Sequence, residues 1–141
     1  MVKTDRHFTP PIFNKRVLVV VGGYGSGKSE VSVNLARHLA SSGQLHVAIA
    51  DLDIVNPYFR SREATEQLEK LGIETLHPKG SQAFADLPII IPQVKSAIEG
   101  YDGVLILDVG GDDAGARVLG SLAGTFPSDD HEVLFVLNAN R

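Results

Sequence analysis

Gly22-Gly23-Tyr24-Gly25-Ser26-Gly27-Lys28-Ser29 is the stretch that decides the fold. It fits the pattern G-x-x-x-x-G-K-[ST] without a substitution. Immediately before it, Val17-Leu18-Val19-Val20-Val21 is short, apolar and mostly β-branched, which predicts a buried strand. Beyond it, Val31, Leu35, Ala36, Leu39 and Ala40 recur at helical spacing, with Gly43 placed as the stop. A strand, a glycine loop and a helix in that order make the architecture of a P-loop.

The residue types have a chemical reason. Gly22, Gly23, Gly25 and Gly27 let the backbone wrap closely round an anion with its N–H groups turned inward, past Tyr24 and Ser26. The helix that starts near Lys28 adds the positive end of its dipole. In this pattern Lys28 reaches the β- and γ-phosphates, and the Ser29 hydroxyl ligates Mg²⁺. A dinucleotide loop is the competing pattern, and it fails: G-x-G-x-x-G begun at Gly23 ends on Lys28. The stretch predicts a nucleoside triphosphate site.

Composition narrows the class. A chain of 141 residues, 43% apolar and 21% charged, suits one globular domain with a sizeable core. The net charge of −4 argues against a nucleic-acid groove or an anionic membrane surface as the main partner. With no cysteine, disulfides, thiolate metal sites and a cysteine nucleophile are out, and a cytoplasmic location is expected. No apolar run is long enough for a transmembrane helix, and Met1 to Lys15 lacks the apolar core of a secretory signal.

Further along, strands alternate with helices. Residues 1–15 read as an irregular arm, with Ile12 and Phe13 tucking against the sheet edge, and 16–141 as one nucleotide-binding domain. Leu45 to Ala50 predicts a second strand, ending at Asp51-Leu52-Asp53. Asn56-Pro57 looks like a helix start, and Gly72 ends that helix after about Leu71. Ile73–Leu76 is a short third strand, His77 to Leu87 a loop, and a helix from Pro92 stops at Gly100. Val104–Leu107 is a buried strand with Asp108 at its carboxyl end. A helix from about Ala114 to Ala123 and a last strand, Val133 to Leu137, complete the pattern. Strands apolar throughout and alternating with helices predict a three-layer α/β fold with a mainly parallel sheet. With no helix left to cover the last strand, the chain reads as the front part of a longer domain, truncated after the fifth strand.

Ligands in such sheets sit at the carboxyl ends of the strands. Gly22–Ser29, Asp51, Asp53 and Asp108 all fall there. Asp108-Val109-Gly110-Gly111 is a Walker B setting, in which the carboxylate holds water on Mg²⁺ and the Gly111 N–H meets the γ-phosphate. Asp51 and Asp53 share one face of the extended chain, so one can be an outer-shell metal ligand and the other can position the attacking water. The alternative is that Asp51 caps the strand and Asp53 the next helix. Asp112 and Asp113 read as N-caps, and Arg60, Arg62 and Arg117 as solvated helix faces. The 5 histidines are scattered without metal-ligand spacing.

Together, Gly22–Ser29, Asp51-Leu52-Asp53-Ile54-Val55-Asn56-Pro57 and Asp108–Gly111 resemble the MinD/ParA/CobQ-type ATPases of the SIMIBI branch of P-loop proteins. Within that branch, GGYGSGK, DLDIVNPYFRSRE and DVGGDDxGARxLG are similar to a group of bacterial nucleotide-binding proteins. The resemblance implies a slow ATPase switch in which Mg·ATP closes a homodimer and hydrolysis opens it. It assigns Lys28 to the phosphates, Ser29 to Mg²⁺, Asp53 to the hydrolytic water and Asp108 to support of the metal. Many relatives carry a second lysine where this chain has Gly23, so hydrolysis activated across a dimer by that lysine is not expected. Rival readings are a GTPase of the HypB/UreG kind, an ATP-dependent phosphotransferase or synthetase, and a module that senses nucleotide without hydrolysing it.

Overall fold

The computed structural model describes residues 13–43, 45–53, 62–77 and 87–140, the side chains of 62, 63 and 87–89 excepted. In chain order it holds β1 (Val17–Val21), α1 (Lys28–Ala40), β2 (Val47–Leu52), α2 (Arg62–Lys70) and β3 (Ile73–Leu76). There follow α3 (Leu87–Gly100), β4 (Val104–Val109), α4 (Asp113–Leu122), a 3₁₀ turn (Ala123–Thr125) and β5 (His131–Phe135). The 5 strands form one sheet in the order β3-β2-β4-β1-β5. Every pairing among them is parallel, as the uniformly apolar strands predicted.

Side-chain alternation divides the core between the two faces. Val17, Val19, Ala48, Ala50, Leu52, Leu105, Leu107 and Val109 meet Ile90, Val94 and Ile98 of α3 and Val118 and Leu122 of α4. The alternate residues Leu18, Val20, Val47, Ile49 and Ile106 meet Val33 and Ala36 of α1 and Leu68 of α2. Phe13 packs against this second cluster; Ile12 lies outside the described residues. The same parity places Asp51 and Asp108 on the α1 face, where they are register partners across β2 and β4.

Several boundaries differ from those expected. β2 runs Val47–Leu52, so Asp51 lies inside the strand, because the β2–β4 ladder continues through Asp51↔Asp108 and Leu52↔Val109. β5 runs His131–Phe135, since its ladder with β1 opens at Val17↔His131. α3 begins at Leu87 and holds Pro92 in its interior. One amide donor is lost there, and burying Ile90, Val94 and Ile98 along one face offsets it. The helix start expected at Asn56-Pro57 lies outside the described residues. The stops behave as glycine chemistry dictates: Gly43 (φ 68°) and Gly72 (φ 79°) take the left-handed conformation after α1 and α2.

Arg16 fastens the lower end of the sheet. Its guanidinium donates to the carbonyls of Ala97, Ile98 and Tyr101 at the end of α3 and lies 3.5 Å from Asp130. A cation at a helix C-terminus also complements the dipole.

Candidate functional site

The loop between β1 and α1 is shaped by its glycines. Gly25 (φ 71°) and Gly27 (φ 88°) adopt the left-handed conformation, and Gly27 is the N-cap of α1 without any side-chain cap bond. The first helical bond of α1 runs from the Val31 N–H to the Gly27 carbonyl at 3.0 Å. The amides of Lys28, Ser29 and Glu30 therefore precede the helical ladder and have no carbonyl one turn behind them. Among the described residues the Ser26 hydroxyl is also buried without a hydrogen-bond partner. Among the described residues, this is a cluster of donors with nothing to receive them.

These groups line a cavity of about 230 Å³. Gly23, Tyr24, Gly25, Ser26 and Gly27 form its rim and wall, Lys28, Ser29 and Glu30 its α1 side, and Asp53, Gly111 and Asp112 the side opposite. Gly22 is buried beneath the loop, where a Cβ would come 2.6 Å from Ser26 Oγ and 2.7 Å from the Val136 carbonyl. A Cβ on Gly111 would overlap the Gly22 carbonyl. The β4–α4 turn thus lies backbone to backbone against the loop.

The charges converge on this cavity. Lys28 is 7% exposed, and its Nζ donates to Asp53 Oδ2 at 2.7 Å and to Asp108 Oδ1 at 3.3 Å. Ser29 Oγ donates to the other Asp108 oxygen at 2.7 Å. Burial works against a charged Lys28, but Asp53 and Asp108 outweigh it and hold the ammonium above its ordinary pKa of 10.5. Asp108, 1% exposed, is pushed above the usual carboxylate value by burial, with Lys28 and Ser29 only partly countering. Asp51 is equally buried but does not line the cavity; its Oδ1 accepts the Asp53 N–H at 3.2 Å.

Of the residues singled out in the sequence, the fold brings Gly23–Ser29, Asp53 and Gly111 into one cavity wall, with Asp108 directly behind Lys28 and Ser29. Asp112 caps α4, its Oδ1 accepting the Gly115 N–H at 2.8 Å, and also reaches the cavity. Arg117 is exposed on α4; Arg60 and the Arg62 side chain lie outside the described residues. Glu30 was not anticipated. It follows the motif directly, and its place in the first helical turn was the available signal. A second cavity, about 520 Å³, lies at the β3 edge among Glu69, Glu74 and Tyr101, whose phenol burial and Glu74 push up to about 12.

Ser29 and Asp108 offer hard oxygen donors side by side, which suits a cation of the Mg²⁺ type that completes its shell with water and ligand oxygens. Among the described residues no group of three or more His, Cys, Asp or Glu could hold a metal without such help. Nor is any described helix long and apolar enough to cross a membrane.

Comparison with known proteins agrees with this architecture. No family model matches the chain. Over 67 residues it is 36% identical to a cytosolic Fe-S cluster assembly factor NUBP1 homolog from Brugia malayi, a match covering 46% of this chain and 19% of that protein. The signal recognition particle receptor FtsY from Elizabethkingia anophelis, solved in complex with GDP, superimposes with a TM-score of 0.57 at 23% identity. That alignment covers 92% of this chain and 42% of FtsY. A second FtsY structure from the same organism gives 0.56 at 24%, covering 88% and 42%. The chain has the P-loop NTPase fold.

Proposed function

We propose that this chain is a Mg²⁺-dependent ATP-binding protein and slow ATPase of the MinD/ParA type, working as a conformational switch. The observation that carries the reading is the meeting of Lys28, Ser29, Asp53 and Asp108 at the mouth of a loop lined with unpaired donors. A cavity of about 230 Å³ is smaller than the ~300–1,000 Å³ of sites that enclose a whole drug-sized ligand. It suits the phosphate chain, with the nucleoside lying outside.

In this reading the loop amides and Lys28 neutralise the phosphates, and Ser29 and Asp108 would hold Mg²⁺, directly or through water. The ion supplies charge neutralisation on the transferred phosphoryl oxygens. Asp53 accepts a hydrogen bond from the attacking water and orients it. Gly111, kept bare by the Gly22 carbonyl, lines the cavity, and in this reading its N–H meets the γ-phosphate. An arginine supplied in trans is worth on the order of 10³–10⁵ in rate, and with Gly23 where relatives carry lysine the intrinsic turnover is slow. Gly23 has open space around it and an unstrained backbone, so the substitution leaves the loop intact.

Titration of ATP and GTP with Mg²⁺ against wild type and Lys28→Ala tests this. Wild type should prefer ATP, and Lys28→Ala should bind at least ~100-fold more weakly. Equal affinity in the two proteins would end the proposal, and a preference for GTP would move it to the HypB/UreG kind of GTPase.

A further inference from the structure

We infer that Asp53 competes with the phosphate ligand for Lys28: it occupies the ammonium in the ligand-free protein and must release it before a polyphosphate is seated. The inference rests on the nucleotide-site reading and adds to it a second role for Asp53, distinct from handling water.

The geometry distinguishes the two carboxylates on Lys28. Asp108 lies within β4, is laddered to β1 and β2, and receives the Ser29 hydroxyl on its second oxygen. Asp53 stands one residue past the end of β2, outside the ladder, and lines the cavity that Asp108 does not. Its contact with Lys28, 2.7 Å against 3.3 Å, is the shorter of the two. Asp53 is thus the carboxylate that meets the ammonium and also borders the space a ligand would fill, as Lys28 itself does. Its other oxygen faces Gly110, where a Cβ would come within 3.1 Å, so the turn leaves just enough room for this position.

The site's charge makes the exchange necessary. Asp53 and Asp108 are two buried carboxylates on one buried ammonium, and a third buried carboxylate, Asp51, accepts the Asp53 N–H. An ammonium has three N–H donors, and two already point at carboxylates. One N–H is left for a polyphosphate, which brings several acceptor oxygens and further negative charge to the same cation, so a closer contact with Lys28 is made at the expense of the Asp53 contact. Ligand affinity is then lowered by the strength of that pair, and ligand entry releases the residue that leads out of β2.

Binding of a fluorescent, non-hydrolysable ATP analogue with Mg²⁺ to the full chain measures this. Asp53→Asn should bind on the order of tenfold more tightly than wild type. Asp53→Glu, which keeps a carboxylate within reach of Lys28, should show no gain. Tighter binding by Asp53→Glu, or equal or weaker binding by Asp53→Asn while wild type binds, overturns the inference. If wild type itself fails to bind, the nucleotide reading falls, and the ion pair is still tested without ligand. Lys28→Ala should lower the melting temperature, and adding Asp53→Asn to it should lower it no further, because the carboxylate left unpaired has gone. Additive losses would mean that the two side chains are not coupled, and the inference fails.

Discussion

β4 and β5 flank the same strand, one on each side of β1, β4 at the centre of the sheet and β5 at its edge. Their surroundings are opposite. β4 is covered on both faces, and even its carboxylate, Asp108, is 1% exposed. β5 has partners on the α1 face, where Leu134 packs, while on the α3/α4 face Val133 and Phe135 are 56% and 67% exposed. The molecule therefore buries a charge on one side of β1 and exposes a phenyl ring on the other. Position in the sheet, rather than polarity, decides burial here, and the buried charge is tolerated only because Lys28 and Ser29 meet it. Burial of ions is costly and marks where structure serves chemistry; an exposed apolar strip of this kind marks a surface suited to contact.

Substitution on the buried side should give the largest effect. Lys28→Ala leaves Asp53 and Asp108 facing each other without a cation and should cost about 3–5 kcal/mol in denaturant unfolding. A loss below ~1 kcal/mol would remove the distinction between the two strands. Gly111→Ala is next. The added methyl must displace the Gly22 carbonyl, at about 1–3 kcal/mol and with loss of nucleotide binding measured in the same preparation.

The pH dependence sharpens the comparison further. Because the folded pKa of Lys28 lies above 10.5, its contribution is fully present below pH 10.5 and is lost as the pH rises from there through the folded value. The stability difference between wild type and Lys28→Ala should stay level between pH 8 and 10 and shrink above 10.5. Asp108 has the opposite sign for a carboxylate. With its folded pKa raised, uptake of its proton on acidification favours the native state, and this gain disappears as the pH climbs past that value. The smallest effect belongs to β5. Phe135→Ser should change stability by no more than about 0.5 kcal/mol, because the ring is already in water. A loss of several kcal/mol would show that this face is covered in solution.

How much of this was legible in the sequence follows from the range of each interaction. The loop was readable because its chemistry is local: consecutive residues, a strand before and a helix after. Asp108 was readable from the apolar run it ends. The Lys28–Asp53 pair spans 25 positions and depends on where β2 lies relative to α1, which no local pattern encodes. That β5 lacks cover was already expected, since no predicted helix was left for the last strand. Which of its faces is bare was hidden, because Val133 to Leu137 reads as apolar on both. Pro92 was misleading for a different reason. Proline is at home in the first turn of a helix, so it was read as a start, whereas the burial of Ile90, Val94 and Ile98 carries α3 through it.

Gly22, Gly110, Gly111 and Gly115 form a column of bare backbone: a Cβ on Gly111 would strike the Gly22 carbonyl, and one on Gly115 the Gly110 carbonyl. No flexible side chain lies at these contacts to absorb a displacement. A movement of a few tenths of an ångström in the loop would therefore be passed, like a push along a rod, through the β4–α4 turn and into the first turn of α4.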